Sequence, residues 1–122
     1  MSFSNTKSFR AWQRRKAERM SKVGLQLEVD MHGILDKMQK EGLISSFRQF
    51  DHNSKEDLSG KDFLVAKMVD GKEMRCAFGV TISPRSWQRA KARYRDVPQL
   101  CFPLATKIET IRQRILELPY SL

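Results

Sequence analysis

The sequence predicts an α/β protein in which a mixed, centrally antiparallel sheet is flanked by helices, in the order αβββαβα. Three observations predict it. Apolar residues recur at steps of three and four through the first third of the chain, two apolar runs flank Asp70-Gly71, and Ser83-Pro84 opens a basic, helix-patterned stretch. A last short apolar run and an amphipathic segment close the chain. At 122 residues the protein is read as one domain spanning 1–122, long enough for a single core.

From about Phe9 to Lys40, Met20, Val23, Leu27, Met31, Ile34 and Met38 share one face of a long amphipathic helix. Gly24 and Gly33 lie inside it, and each costs about 1 kcal/mol against alanine, so a break or bend is expected near either. Glu41-Gly42 supplies the C-terminal stop. Leu43 to Phe50 reads as a first strand and Asp51 to Gly60 as a polar loop. Asp62 to Val69 is the second strand, and Asp70-Gly71 is a hairpin turn whose residues tolerate positive φ. In the third strand, Glu73 to Ile82, Met74, Cys76, Phe78, Val80 and Ile82 alternate with Glu73, Arg75, Ala77, Gly79 and Thr81. Ser83 caps the next helix, with Pro84 in its first turn and Trp87, Ala90 and Tyr94 as its apolar stripe. Asp96-Val-Pro98 ends it. Gln99 to Phe102 is a fourth strand, and Thr106 to Leu118 is a closing helix with Ile108, Ile111, Ile115 and Leu118 on one side. That stripe suits either the sheet or a second copy of the chain.

Charge narrows the function classes. The formal net charge is +9, and the excess sits in two segments. Residues 7–22 carry Lys7, Arg10, Arg14, Arg15, Lys16, Arg19 and Lys22 against a single Glu18. Residues 85–95 carry Arg85, Arg89, Lys91, Arg93 and Arg95 with no acid. Clustered cations of this kind neutralise phosphates and point to nucleic acid as the partner. Trp12 lies amid the N-terminal arginines and is the better candidate for stacking on bases, whereas the spacing of Trp87 and Tyr94 suits packing.

No stretch approaches the roughly 18 apolar residues of a membrane span. Cys76 and Cys101 stand far apart inside apolar runs, which suits free thiols in a reducing, cytoplasmic setting. Two cysteines and two histidines without close spacing make a poor zinc set. The acid-free first seventeen residues overlap in composition with an organellar transit peptide. Because the helical pattern continues into Met20, Val23 and Leu27, they are read as part of the fold.

Gly24-Leu-Gln-Leu-Glu28, running on to Leu35 and Gly42, Asp57-Leu-Ser-Gly-Lys-Asp62-Phe-Leu-Val, and the helix Trp87 to Arg95 with Tyr94 resemble the core of the PD-(D/E)XK, or restriction-endonuclease-like, nuclease superfamily over about residues 20–118. Residues 1–19 then form a basic helical extension. The resemblance implies that Asp62 holds a Mg or Mn ion, that Glu28 on the first helix faces it, and that the helix after the third strand lies near nucleic acid.

The chain departs from the family where an acid or glutamine, any residue, and lysine belong: here stand Gly79, Val80 and Thr81. Gly79 offers no ligand oxygen, and Thr81 no cation to orient or polarise the attacking water. Glu28 as a solvated helix residue, and Asp62 as a strand opener or partner of Lys61, stand beside the catalytic readings. His32, one turn after Glu28, reads as structural more readily than as half of a Glu-His pair.

The expectation is a nucleic-acid-binding protein, DNA more than RNA, on a nuclease-like frame without the usual hydrolysis. A divergent Mg- or Mn-dependent phosphodiesterase with a migrated active site is the first alternative. An interaction subunit binding an acidic protein or ribonucleoprotein is the second.

Overall fold

The computed structural model describes residues 26–51 and 54–122. Residues 26–40 form helix α1, which runs through Gly33 without the expected break. Packing outweighs the glycine's propensity: Met31, Leu35 and Met38 on its inner face are fully buried. Gly42, at φ +80°, ends it in a Schellman arrangement, with Leu43 N–H donating to Met38 O at 2.9 Å and Gly42 N–H to Gln39 O at 3.0 Å.

Strand β1 is Ser46–Gln49, shorter than expected at both ends. The polar loop after it contains a one-turn helix, α2, at Lys55–Leu58. Ser54 caps α2 by accepting the Asp57 amide at 3.2 Å, so a serine with an aspartate three residues on marked a helix start rather than plain loop. Strands β2 (Phe63–Val69) and β3 (Lys72–Thr81) are joined by Asp70 and Gly71, both at positive φ. Two such residues match the strand twist, which fixes Val69 opposite Lys72 and Phe63 opposite Phe78.

Helix α3 is Pro84–Arg93, strand β4 is Gln99–Cys101 and helix α4 is Ile108–Leu116. Strand order is β1-β2-β3-β4, antiparallel across the first three strands and parallel between β3 and β4. The parallel pairing follows from α3, which returns the chain before β4 begins. The result is an α/β fold with a four-stranded mixed sheet flanked by helices.

The core lies between α1, α4 and one sheet face, where Phe63, Val65, Phe78, Leu35 and Ile115 are fully buried. Cys76 joins it as a free thiol, and Cys101, also free, is half-buried. The closing stripe holds at Ile111, Ile115 and Leu118, but Ile108, in the first turn of α4, is 56% exposed. Lys67 reaches from β2 to the C-terminal end of α4, donating to Leu116 O at 3.1 Å beneath the Tyr120 ring. Burial pushes the Tyr120 phenol well above its ordinary range, and its hydroxyl donates to Ile115 O at 2.7 Å. Ser121 then pairs with Arg75 beside β3, beyond the reach of β4. Among the described residues no helix is long and apolar enough to cross a membrane.

One position near the sheet end is unusually tight. Gly60 sits at φ +86°, and a Cβ there would lie 2.4 Å from the Tyr94 ring. Gly60→Ala is expected to lower stability by about 2–4 kcal/mol, combining strain with overlap. Gly71→Ala, at φ +80° but with nothing within 4 Å, carries the strain alone and costs less. Urea unfolding of both variants checks this, and equal losses would show that the Tyr94 contact contributes nothing.

Candidate functional site

Helix α3 owes its shape to a clean division of labour. Ser83 accepts the Ser86 amide at 3.2 Å, Pro84 occupies the first turn, and Tyr94 N–H closes the last turn on Ala90 O at 2.8 Å. Trp87, Ala90 and Tyr94 are half-buried on one side. Arg85, Arg89, Lys91 and Arg93 are exposed, as is Arg95 just beyond the helix. The Lys91 ammonium lies 3.5 Å from the Trp87 ring centroid, and the Arg93 guanidinium 5.4 Å from that of Tyr94. Each aromatic ring therefore anchors the helix inward and holds a cation outward.

Both aromatic residues have internal partners, which favours packing over base stacking. The Trp87 indole N–H donates to Gln99 O at 2.6 Å, and Tyr94 covers Gly60. Gln99 in turn donates its amide to Gly60 O at 2.9 Å. Its carboxamide oxygen lies 2.3 Å from where a Cβ on Gly79 would stand, and Gly60 O lies 2.5 Å from the same point. The position where the nuclease resemblance would put an acid or glutamine thus has no room for a side chain unless Gln99 and the Gly60 backbone shift. Thr81, where the nuclease resemblance would put a lysine, accepts the Ser83 amide at 3.2 Å and shapes the turn into α3.

Asp62 sits directly before β2, with its backbone held by Phe50 and Phe78. Its carboxylate accepts the Val80 amide at 2.8 Å. Burial pushes its pKa up to about 6; the Val80 hydrogen bond opposes this, while a hydrogen bond with Asp57 and the charges of Asp57 and Glu28 reinforce it. A hydrogen bond between two carboxyl groups requires a proton on one of them, which is why the Asp57 contact favours the protonated form of Asp62. Glu28, half-buried on α1, adds to the negative field at Asp62.

These acids offer the hard oxygen donors that Mg or Mn takes. Among the described residues, however, no group of three or more His, Cys, Asp or Glu side chains is arranged to hold a metal ion. The donors suit the ion in kind but not in convergence.

The predicted residues therefore divide. Arg85, Arg89, Lys91 and Arg93 are all exposed on α3 and Arg95 just beyond it, while Asp62 and Glu28 come within electrostatic reach of each other. Arg10, Trp12, Arg14 and Arg15 lie outside the described residues. His32 packs edge-on against Phe47, with ring centroids 5.0 Å apart, which suits its structural reading. Glu73 and Arg75 pair with each other at 3.2 Å. Two residues of the site were not singled out from sequence, Asp57 and Gln99. The Ser54-to-Asp57 capping spacing was a signal for the first, whereas nothing local marks Gln99.

Asp62→Asn keeps the shape, accepts from Val80 and donates to Asp57. The native carboxyl at about 6 holds a proton that the unfolded chain, near 3.8, releases earlier. This contribution is therefore full below pH 3.8 and is lost as pH rises through about 6. The Asn variant is expected to exceed wild type by about 1–3 kcal/mol at pH 8 and to match it near pH 4. Urea midpoints at the two pH values check this; a less stable variant at pH 8 would contradict it.

No family model, curated protein or solved structure matches the chain, so its function is argued from this geometry.

Proposed function

We propose that the protein binds nucleic acid, DNA more than RNA, chiefly through phosphate contacts, on a restriction-endonuclease-like frame that lacks the usual hydrolytic residues. One observation carries the reading: every basic side chain of α3 is exposed, and the helix has no acid to offset them. Its aromatic anchors leave those cations presented as a set rather than folded onto the sheet.

Phosphate contacts made this way supply affinity without base information, so binding depends strongly on salt and weakly on sequence. Arg10, Arg14 and Arg15 add further positive charge in the sequence, with Trp12 among them as the base-stacking candidate. The antiparallel β1-β2-β3 meander and the parallel β4 reached through α3 support the nuclease-like frame. The closed space at Gly79 and the engaged Thr81 hydroxyl support the loss of its usual chemistry.

A second reading, a divergent Mg- or Mn-dependent nuclease, is favoured by a specific observation. Asp62 sits in a partly buried setting with Asp57 and Glu28 that disfavours its charge, and such perturbed carboxyls concentrate at functional sites. Under that reading wild type cleaves a labelled strand with Mg or Mn, and Asp62→Ala ends cleavage while binding survives. Intact strands from wild type would remove it.

Replacing Arg89, Lys91 and Arg93 together by alanine is expected to weaken binding across all sequences. It should also flatten the slope of log affinity against log salt by about 3, roughly one unit per lost phosphate contact. Fluorescence anisotropy over a salt series, with circular dichroism to verify folding, makes the measurement. Unchanged affinity and slope would overturn the surface assignment. A complex with an acidic protein that survives nuclease treatment, without any nucleic-acid binding, would replace the reading altogether.

A further inference from the structure

Helices α1 and α4 lie side by side on the core face, joined at one end by an ion pair between Arg112 and Glu41. Away from the sheet, they border a groove of about 530 Å³ whose lining includes Val29, Gly33 and Ile108. Val29 is 63% exposed and Ile108 56%, so apolar surface is presented here instead of being drawn into the core. Gly33 sits in mid-helix, and a Cβ there would meet nothing within 4 Å. Among the described residues nothing covers the helix surface at that point, so another backbone can approach it closely.

Charge along this face says what fits. Asp30 and Lys37 flank Gly33 on the same side of α1, and both line the groove. Asp30 accepts a hydrogen bond from Gln26 at 2.9 Å but makes no ion pair among the described residues. Lys37 is exposed and likewise has no acidic partner there. When two copies of α1 cross antiparallel about a twofold axis beside Gly33, Asp30 of each copy comes opposite Lys37 of the other. The face is therefore complementary to itself in charge as well as in shape, the requirement for an isologous contact.

We infer that the protein self-associates through this α1–α4 face, with Gly33 at the axis, Val29 and Ile108 entering the opposite groove, and two reciprocal Asp30–Lys37 pairs setting the register. The occupant is a second copy of the chain. The inference does not rest on the nucleic-acid reading and survives its failure.

Sedimentation of the full chain from micromolar to hundred-micromolar concentration is the test. Wild type is expected to shift from 14.2 kDa to twice that mass. Asp30→Lys and Lys37→Asp each place like charges opposite one another and should be monomeric alone. Mixed together they restore both pairs and should sediment as a dimer, as should the double variant. Gly33→Gln should leave the monomer fold intact by circular dichroism and abolish the dimer. Wild type that stays monomeric throughout the range would overturn the proposal. So would a dimer indifferent to all three substitutions, because it would use another face.

Discussion

The structure turns on one close approach, where Gly79, Gln99 and Gly60 meet at the end of the sheet. Gly79 leaves a space that the Gln99 carboxamide fills, and that carboxamide donates to Gly60 O at 2.9 Å. Gly60 reaches this position only through a left-handed backbone, and its bare α-carbon accepts the ring of Tyr94. Strands β3 and β4, the segment leading into β2, and α3 are joined there. No residue of α3 is fully buried, so the helix depends on this junction and on the Trp87 bond to Gln99 O.

The same junction governs what chemistry the frame can perform. The proposed nuclease-like frame would place an acid or glutamine and a lysine on the third strand, at Gly79 and Thr81. Here a side chain at Gly79 would collide with backbone as well as with Gln99, so a single substitution does not restore the missing ligand. Thr81 serves the turn into α3. What remains is Asp62, held by the Val80 amide and biased toward its protonated form by burial and by neighbouring acids.

Much of the architecture was legible because local chemistry left few alternatives. Asp70-Gly71 demanded a hairpin, Gly42 ended α1, and Ser83-Pro84 opened α3; each rests on a backbone preference that acts within a few residues. The inward stripe of Trp87, Ala90 and Tyr94 followed from helical spacing, and with it the outward set of cations. Longer-range features were not legible. Gln99 reads as an ordinary strand residue until β4 is placed beside Gly79, a contact twenty positions away in sequence. Asp57 reads as a loop acid until Ser54 caps it into α2 and sets it against Asp62. Ile108 fits the apolar period of α4 yet is exposed, which helical spacing alone does not reveal.

The most direct test of the account incubates wild-type protein with end-labelled duplex and single-stranded DNA, with Mg or Mn, at about 50 and about 200 mM salt. Each sample is run on native and denaturing gels. The account predicts retarded complexes that weaken at the higher salt and strands that remain full length. Absent or salt-insensitive retardation would contradict binding through exposed cations. Shortened strands would contradict the claim that the Gly79–Gln99–Gly60 junction has displaced the catalytic chemistry.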